Sequence, residues 1–476
     1  MTERLREELR RLGDEAPDLD IPRETWARGR RARNRDRAVT GLLVASLVAI
    51  AGALIQITPA SRLATEVLAS TPRDAAPALP DRLYAVPERF VQLRETSTGE
   101  VTWDPRVAVT DLAVGPAIAA FTAGDFGKLP VVITAGDRCY RPLVLPGFSD
   151  ASRLNSTTSG SKGGGAMSLS PDGRSLAYAW WDPAAPLDAP MPAGVRIVDL
   201  TTGEVRSLEL QGGNGVDVDL LSWSPNGDWL AWAGMVTKSW TPSSRSGFDA
   251  VAGRITATDL TNETIPGITN QEWGVGVSDA GEVTLWSGQS LQTWDGARLR
   301  GHSVPGARGV GEGGPVTVAS ADGLVAMTSY SERQPLRVAH VSGGRVTYQG
   351  GVKTRTPGAS LEAVGWLDDG QVLTLERPPR LDDEATLGAT EVDPVQANQP
   401  TAISSVEQGV TNLSVATELI DPANPVVSYP PPAWPWSTER KLLVAGLVLA
   451  ALILGATLLV RRRLTSDASL TTGSDS

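Results

Sequence analysis

A short turn motif recurs five times between residues 170 and 370, and this repeat constrains the fold more than any other feature. The copies read SPDGRSLAY, SPNGDWLAW, SDAGEVTLW, SADGLVAMT and LDDGQVLTL. Their glycines are 54, 54, 42 and 47 residues apart: Gly173, Gly227, Gly281, Gly323 and Gly370. Asp-Gly and Asn-Gly supply the positive φ that a tight hairpin turn requires. Repeats of this period are typical of solenoids, propellers and arrays.

The apolar runs around each turn predict strands. In the first copy AMSL precedes the turn, and LAYAW, GVRIVDL and VRSLEL follow it; GRITATDLTN, LQTWDGAR and LRVAHVSGG occupy the third-strand position in later copies. These runs alternate or stay apolar for a few residues, which argues against amphipathic helices. Four antiparallel strands per repeat make one propeller blade, whereas a β-sandwich, the competing fold, would need no regular repeat.

The S-P-D-G turn followed by L-A-Y or L-A-W resembles the TolB-like β-propellers, and residues 170–177 and 224–231 match best. WD40-like propellers are the related alternative. Their Trp-Asp dipeptide occurs only out of register, at Trp103, Trp181 and Trp294. The resemblance covers about residues 107–419 and implies a fold, not an activity. Arginine outnumbers lysine 38 to 5, which is typical of a GC-rich bacterium such as an actinobacterium.

The repeat predicts an all-β fold with six blades. A weaker unit without the motif lies at residues 129–147, and a seventh blade would have to come from residues 82–109. A ring must close, so we expect an early strand, at 82–86 or 107–114, to pair with a late one at 413–419. Residues 377–400 are rich in Pro, Gln and Asn and predict a loop insertion. Most of the fourteen tryptophans are expected in the core and between blades; an aromatic ligand platform is the alternative.

Two uncharged apolar stretches, residues 38–57 and 442–460, are each long enough to cross a bilayer as a helix. Arginines crowd residues 28–37 before the first stretch and residues 461–463 after the second. By the positive-inside rule both termini are cytoplasmic, and the chain between the spans is extracytoplasmic. The long charged leader disfavours a cleaved signal peptide.

The predicted organisation has seven parts. They are a cytoplasmic leader with a short amphipathic helix (1–37), transmembrane helix 1 (38–57), a linker (58–81), the propeller ectodomain (82–420), a Pro-rich spacer (421–440), transmembrane helix 2 (441–460) and a cytoplasmic tail (461–476). The prolines predict a stiff spacer that holds the propeller off the membrane. Small residues four apart would let the spans pack together or dimerise: Gly41, Ala45, Ala49, Ala53, Ala451 and Gly455.

Motifs that carry chemistry are scarce. The chain has two histidines, His302 and His340, but no G-x-S-x-G, H-E-x-x-H, C-x-x-C or EF-hand pattern, and GVGEGG at 309–314 precedes a strand instead of a helix. Asp217 and Asp219 alternate on one predicted strand, so both could bind calcium in a central channel. Carboxylates at strand edges are more commonly solvated. Cys139 is the single cysteine and is expected to be buried. We therefore predict no catalytic, cofactor-binding or metal-binding residue, and no cofactor.

The ectodomain carries a net charge of −14, which disfavours nucleic acid as a partner. The favoured function is a membrane-anchored, extracytoplasmic binding or scaffold module for a protein, peptide or glycan. One alternative is an extracytoplasmic carbohydrate-active enzyme that uses channel carboxylates. The other is a signal transducer whose leader docks a cytoplasmic regulator. Recognition is expected in the irregular loops at 156–165, 238–248, 306–314 and 378–400.

Overall fold

The computed structural model divides into two compact units, Met1–Ala69 and Ser70–Ser476. It describes residues 6–7, 10–11, 77–91, 94–95, 101–102, 107–123, 129–148, 166–182, 192–212, 215–241, 244–268, 274–286, 290–303, 317–319, 323–331, 334–342, 345–367, 370–379, 383–392, 398–429, 431–432, 434, 443–444, 446–447 and 455. The four described residues of the first unit are helical, and the rest of the amphipathic helix predicted in the leader lies outside the described residues.

The second unit begins with seven strands and one short helix. These are β1 (Leu79–Pro80), β2 (Arg82–Leu83), α1 (Glu88–Val91), β3 (Arg94–Glu95), β4 (Val101–Thr102), β5 (Ala117–Ala123), β6 (Leu129–Thr134) and β7 (Tyr140–Pro142). Strands β5, β6 and β7 belong to a blade that is completed only at the other end of the chain, here called the closing blade.

Five blades follow in chain order, each with strands a to d from the centre of the ring outward. Blade 1 contains β8 (Met167–Leu169), β9 (Ser175–Trp181), β10 (Ala193–Asp199) and β11 (Val205–Glu209). Blade 2 contains β12 (Val216–Trp223), β13 (Trp229–Thr241), β14 (Ser244–Thr256) and β15 (Asn262–Thr264). Blade 3 contains β16 (Gly274–Val277), β17 (Val283–Trp286), β18 (Ser290–Trp294) and β19 (Leu299–Ser303).

Blade 4 contains β20 (Thr317–Ala319), β21 (Leu324–Ser331), β22 (Gln334–Ser342) and β23 (Arg345–Val352). Blade 5 contains β24 (Ser360–Leu367), β25 (Gln371–Arg377), β26 (Ala385–Glu391) and β27 (Thr401–Val406). The chain then forms β28 (Val410–Val415), a 3-10 helix (Thr417–Leu419) and β29 (Val426–Val427). The described residues thus form a six-bladed propeller, as the repeat predicted.

Six hydrophobic cores hold the ring together, one at each interface between neighbouring blades. Alternate residues of a strand point to opposite faces of its sheet, so every blade serves two cores. On β9, Tyr178 and Trp180 pack toward the closing blade, whereas Ala177 and Ala179 pack toward blade 2. In the sequence AYAW, the two aromatic residues therefore pack against one neighbouring blade and the two alanines against the other.

The five repeated turns join strands a and b of blades 1 to 5. Their glycines all have positive φ, from 70° to 78°. The closing blade has no such turn because its strand a is β28, which follows blade 5, while its strand b is β5, which precedes blade 1. This explains why six blades carry only five copies of the motif.

The ring closes where β28 pairs with β5 in antiparallel register, from Val410 opposite Ala123 to Val415 opposite Ala119. The hydroxyls of Thr122 and Thr411 lie 2.8 Å apart across this seam. A late closing strand is confirmed, but the predicted early partners at 82–86 and 107–114 were wrong. The true partner is a largely apolar strand, AIAAFTA, that is buried on both faces and that no turn motif marks.

The seventh blade considered for residues 82–109 does not form. Strand β2 instead joins blade 5 as a fifth strand, parallel to β27, with Arg82 opposite Ser405. Strands β3 and β4 make a separate two-stranded sheet. The predicted insertion at 377–400 was also partly wrong, because β26 lies within it.

The first half of the Pro-rich spacer packs on the propeller, which differs from the stiff, extended spacer that its prolines predicted. Strand β29 pairs in parallel with β1, with Leu79 opposite Val426. Tyr429 is 3% exposed, and its hydroxyl donates to the Ala78 carbonyl at 2.8 Å. Farther on, the ring of Trp434 lies 6.2 Å from that of Tyr140.

Among the described residues, no helix is both long enough and apolar enough to span a bilayer. The predicted span at 38–57 and its small-residue stripe lie outside the described residues. Five positions of the predicted span at 442–460 are described, and all are helical: Leu443, Val444, Gly446, Leu447 and Gly455. Both spans, and dimerisation through them, stay predictions.

Candidate functional site

The ring has two ends with different connections. Because successive strands of a blade run in opposite directions, the a–b and c–d turns share one end, here called the turn end. The b–c connections within blades and the d–a connections between blades share the other, here called the connection end. The two ends therefore offer different surfaces to a ligand.

At the turn end, the repeated motif is a self-contained hydrogen-bonded turn. In blade 1 the Ser170 hydroxyl donates to the Asp172 carboxylate at 2.6 Å and accepts from the backbone N–H of Ser175 at 2.9 Å. In blade 2 Ser224 lies 2.7 Å from the Asn226 side-chain oxygen and accepts from the Trp229 N–H at 3.0 Å. These polar side chains satisfy backbone groups of the turn, so they are structural.

A second repeated feature of the turn end escaped the sequence analysis. In the described c–d turns, an aspartate accepts backbone N–H groups that follow it: Asp137, Asp199, Asp259 and Asp295. Asp295 accepts from Arg298 at 2.8 Å and Ala297 at 2.9 Å, and from the Arg300 guanidinium at 2.7 Å. Those bonds lower the pKa of Asp295 to about 2. An aspartate at or shortly after the end of the third strand in these four blades was the available signal.

Replacing Asp295 with asparagine should cost stability at neutral pH and little at pH 2. The lowered pKa means that the ionised form stabilises the fold above the ordinary carboxyl pKa, near 3.8, and that this contribution disappears as pH falls to about 2. The melting temperatures of the wild type and Asp295→Asn should therefore differ at pH 7 and converge between pH 4 and pH 2. A constant difference across this range would show that the charge is not responsible.

The connection end carries most of the irregular segments that the sequence singled out. Residues 156–165 and 306–314 fall in d–a connections, before β8 and β20, and lie outside the described residues. Residues 378–384 form the b–c connection of blade 5, whereas 392–400 belong to its c–d turn at the opposite end. The fourth segment, 238–248, is not a loop.

Residues 237–241 and 244–248 are a two-stranded extension of blade 2, here called the arm. Strands β13 and β14 have 13 residues each, and their pairing continues to Thr241 opposite Ser244. Strand β12 pairs with β13 only as far as Val236, and β15 begins its pairing with β14 at Gly253. At about 3.3 Å per residue the arm extends roughly 17 Å beyond β12. Among the described residues, no strand pairs with either edge of the arm.

Arg254 is held between two tryptophans at the interface of blades 2 and 3. Its guanidinium lies 4.5 Å from the ring centroid of Trp229 and 4.7 Å from that of Trp294. It also donates to the Gly281 carbonyl and to Glu263, whose carboxylate is 2.6 Å away. The side chain is only 11% exposed. We call these five residues the arginine clamp.

The tryptophans that the structure describes act mainly in packing, as predicted. Six of them are nearly inaccessible to solvent: Trp180, Trp223, Trp232, Trp286, Trp294 and Trp366. The indole N–H of Trp223 donates to Ser168 of blade 1, and that of Trp286 donates to Thr328 of blade 4. These bonds cross blade interfaces, so the rings join blades and do not form an exposed platform.

The candidate chemical groups are dispersed. His302 lies on β19, where its Nε2 is 3.0 Å from the Thr293 hydroxyl, and burial lowers its pKa. His340 lies on β22 of another blade. Asp217 and Asp219 are both half-buried on β12, and Asp219 occupies an irregularity in the β12–β13 register. Within the described ranges, no three His, Cys, Asp or Glu side chains are grouped to hold a metal ion.

Cys139 is buried, as predicted, in the c–d turn of the closing blade. It is 8% exposed, and burial raises the pKa of its thiol to about 12. Its sulfur donates to the Asp137 carbonyl at 3.2 Å. A thiol with this pKa is a poor nucleophile at neutral pH.

A comparison of the sequence with protein families found no match, and neither did a comparison with curated proteins. Among solved structures, similar chains include WD40 and other β-propellers. The RRP9 WD40 repeats are 11% identical over 49% of this chain and 61% of theirs, with a TM-score of 0.31. A Staphylococcus aureus virginiamycin B lyase is 13% identical over 50% and 75%, with a TM-score of 0.30. A chain of a nidogen/laminin complex is 8% identical over 63% and 98%, with a TM-score of 0.38.

The matched region thus spans about three fifths of the RRP9 chain. With identities and TM-scores this low, none of these proteins bears on what the chain binds or does. The six-bladed architecture rests on the chain's own strand pairing.

Proposed function

We propose that this chain is a membrane-anchored propeller whose connection end binds an extracytoplasmic protein, with the arm as the main contact. The arm is the observation that carries the proposal. Its two edges offer backbone N–H and C=O groups beyond the last neighbouring strand on each side. An extended segment of another polypeptide can satisfy such groups by adding as a strand. In the part of the chain that the structure describes, no strand covers these edges, and a long uncovered edge is otherwise an aggregation hazard.

Membrane anchoring is supported by the two apolar stretches and their arginine flanks. The described residues of the second stretch are consistent with this. Leu443, Val444 and Leu447 lie in a helix and are 62%, 40% and 63% exposed, the only large hydrophobic side chains so exposed in the described part of the chain. Apolar helical surface of this kind is costly in water and suited to lipid.

The alternatives have less support. A carbohydrate-active enzyme needs two facing carboxylates. On the innermost strand of blade 5, Glu362 instead pairs with Arg377, 3.2 Å away. The signal transducer remains the alternative for the cytoplasmic leader, which lies largely outside the described residues.

Removing the arm should abolish partner binding and leave the ring intact. Val236 and Asp249 are opposite each other in the β13–β14 register, so an Asn-Gly turn can replace residues 237–248 without changing the hairpin below. In intact cells, a labelling enzyme fused to the ectodomain of the wild type should label a set of neighbouring proteins. The same fusion to the armless variant should no longer label them. Arg174→Ala, at an exposed position of the turn end, is the control and should keep that set.

Unchanged labelling by the armless variant would contradict the arm as the contact. Labelled material that resists protease but is removed by glycosidases would show that the ligand is a glycan and not a protein. Circular dichroism and the melting temperature of the armless variant should match the wild type, because the pairing of β12 with β13 ends at Val236, before the removed residues.

A further inference from the structure

The outer edge of the arm is the edge of β14 on the side opposite to β13. Strand β15 pairs with β14 only from Gly253 onward, and the backbone N–H of Ile265 then donates to the Ala252 carbonyl at 2.9 Å. Within the described residues, no strand pairs with the outer edge before that point. The free part of this edge therefore covers the eight residues 244–251.

The bond to Ala252 also fixes which backbone groups of β14 point outward. In an antiparallel ladder, the N–H and C=O groups of one residue point to the same side, and successive residues alternate between the two sides. The pairing of β13 with β14 shows no irregularity along the arm. Four residues of the free edge therefore direct both backbone groups outward, where an added strand can bond to them: Ser244, Ser246, Phe248 and Ala250.

The sequence of this edge is complementary to itself. Arg245 and Asp249 lie two residues before and two residues after Gly247. When two copies of the edge pair in antiparallel with Gly247 opposite Gly247, Arg245 of each copy falls opposite Asp249 of the other. Directly opposite residues share one face of the sheet, and opposite charges there stabilise the pairing. An edge with charges of only one sign would instead repel a copy of itself.

The backbone groups favour the same register. In it, the outward-pointing residues of one copy meet those of the other in four pairs, because Ser244 lies opposite Ala250 and Ser246 opposite Phe248. A shift by one residue sets outward-pointing residues against inward-pointing ones. A shift by two residues loses one of the four pairs and places Gly247 opposite a charged residue. Hydrogen bonding and charge therefore agree on one arrangement.

Asp249 is accessible for this contact. Its side chain is 59% exposed, and its carboxylate lies 2.6 Å from the ammonium group of Lys238 in the same arm. An ionised carboxylate has two acceptor oxygens, so it can bond to a second cation as well. The inner edge of the arm, residues 237–241, contains no acidic residue and offers no such pair to a copy of itself.

We infer that a second copy of this chain is the protein that the arm binds, through antiparallel pairing of the two outer edges about Gly247. The two arms then form one four-stranded sheet in the order β13, β14, β14, β13. Both copies use the same surface, so the contact between outer edges closes as a two-fold dimer. This inference rests on the arm as the contact in the function proposed above.

A disulfide at the two-fold axis tests the register. Gly247→Cys places two cysteines opposite each other in a non-hydrogen-bonded pair, whose Cα atoms lie about 4.5 Å apart, within the range that a disulfide spans. Mild oxidation of the full chain in detergent should give a covalent dimer on a non-reducing gel. Thr241→Cys is the matched control and should give none, because its two copies would be more than about 20 Å apart along the strands. Cys139 stays in both variants because it is buried.

Charge reversal tests the pairing of Arg245 with Asp249. In the Gly247→Cys background, Asp249→Arg and Arg245→Asp should each reduce the covalent dimer severalfold, because either change alone sets like charges opposite each other. An equimolar mixture of the two variants, with tags of different size, should recover a dimer that contains one copy of each, since every arginine then meets an aspartate. A mixture that gives no mixed dimer would overturn this register.

The results separate this inference from the function on which it rests. If Gly247→Cys gives no covalent dimer, or if Thr241→Cys gives as much, the second copy is not the partner. If the armless variant nevertheless loses its labelled neighbours, the arm is still the contact and only the identity of its partner was wrong. If that labelling also persists, the arm is not the contact, and the proposed function fails as well.

Discussion

Replacing Gly173 with alanine is expected to destabilise the propeller by about 2–5 kcal/mol. The residue has a φ of 70°, which an L-residue adopts at a cost of about 1–2 kcal/mol. The new methyl group would also collide with the carbonyl of Ala117 and press on Leu419. Both neighbours belong to the seam that closes the ring, so the collision falls where the first blade meets the last.

Gly370→Ala is the matched control for this prediction. It occupies the equivalent turn of blade 5 with a φ of 78°, but no atom of the described residues lies within 4 Å of the added methyl group. Only the backbone term of about 1–2 kcal/mol should remain. Urea unfolding of the full chain in detergent, followed by tryptophan fluorescence, compares the two variants. Equal losses would show that the contact with the seam contributes nothing.

Replacing Arg254 with alanine is expected to cost about 2–5 kcal/mol, from the loss of its two aromatic contacts and of a hydrogen bond from a charged donor. The change removes two cation–π contacts, worth roughly 0.5–2 kcal/mol each, together with the bond to the Gly281 carbonyl. It also leaves space between Trp229 and Trp294 at the interface of blades 2 and 3. Thermal or urea unfolding of the full chain measures the loss.

Two further variants separate the parts of the arginine clamp. Arg254→Lys keeps the charge but loses the planar group that stacks on both rings, so it should recover only part of the stability. Glu263→Gln removes the ion pair alone, and because Glu263 is 45% exposed the loss should stay below about 1 kcal/mol. If Glu263→Gln were as damaging as Arg254→Ala, the ion pair and not the aromatic contact would be the source of stability.

The repeat made the blades and their order predictable, because each copy joins neighbouring strands and is local in the sequence. The early partner of the closing strand was misplaced because β5 and β28 lie at opposite ends of the propeller sequence, and no pattern in either strand identifies the other. The Pro-rich spacer was misjudged for a related reason. Tyr429 and Trp434 pack against residues from the other end of the ectodomain, a contact that composition does not reveal.

The candidate site was located by elimination more than by pattern. The repeated turns have a structural role, so recognition was assigned to the four irregular segments between them. Three of these four segments lie wholly at the connection end. The sequence of the arm predicts a loop because it contains Ser, Thr, Gly and Pro. The arm is paired nonetheless, because it continues the β13–β14 hairpin of blade 2. The arginine clamp was not predictable at all: Arg254 meets Gly281 and Trp294 only when two blades stack.

The split closing blade also sets the order in which this protein can mature. Thr122 and Thr411 are 289 positions apart, so their contact waits until nearly the whole propeller has been synthesised. Contacts this distant in sequence form slowly, because a long loop must be closed first. Until β28 arrives, β5 is an unpaired apolar edge and the faces of blades 1 and 5 are uncovered. The interval between the synthesis of residue 123 and that of residue 410 is when a chaperone would be needed most.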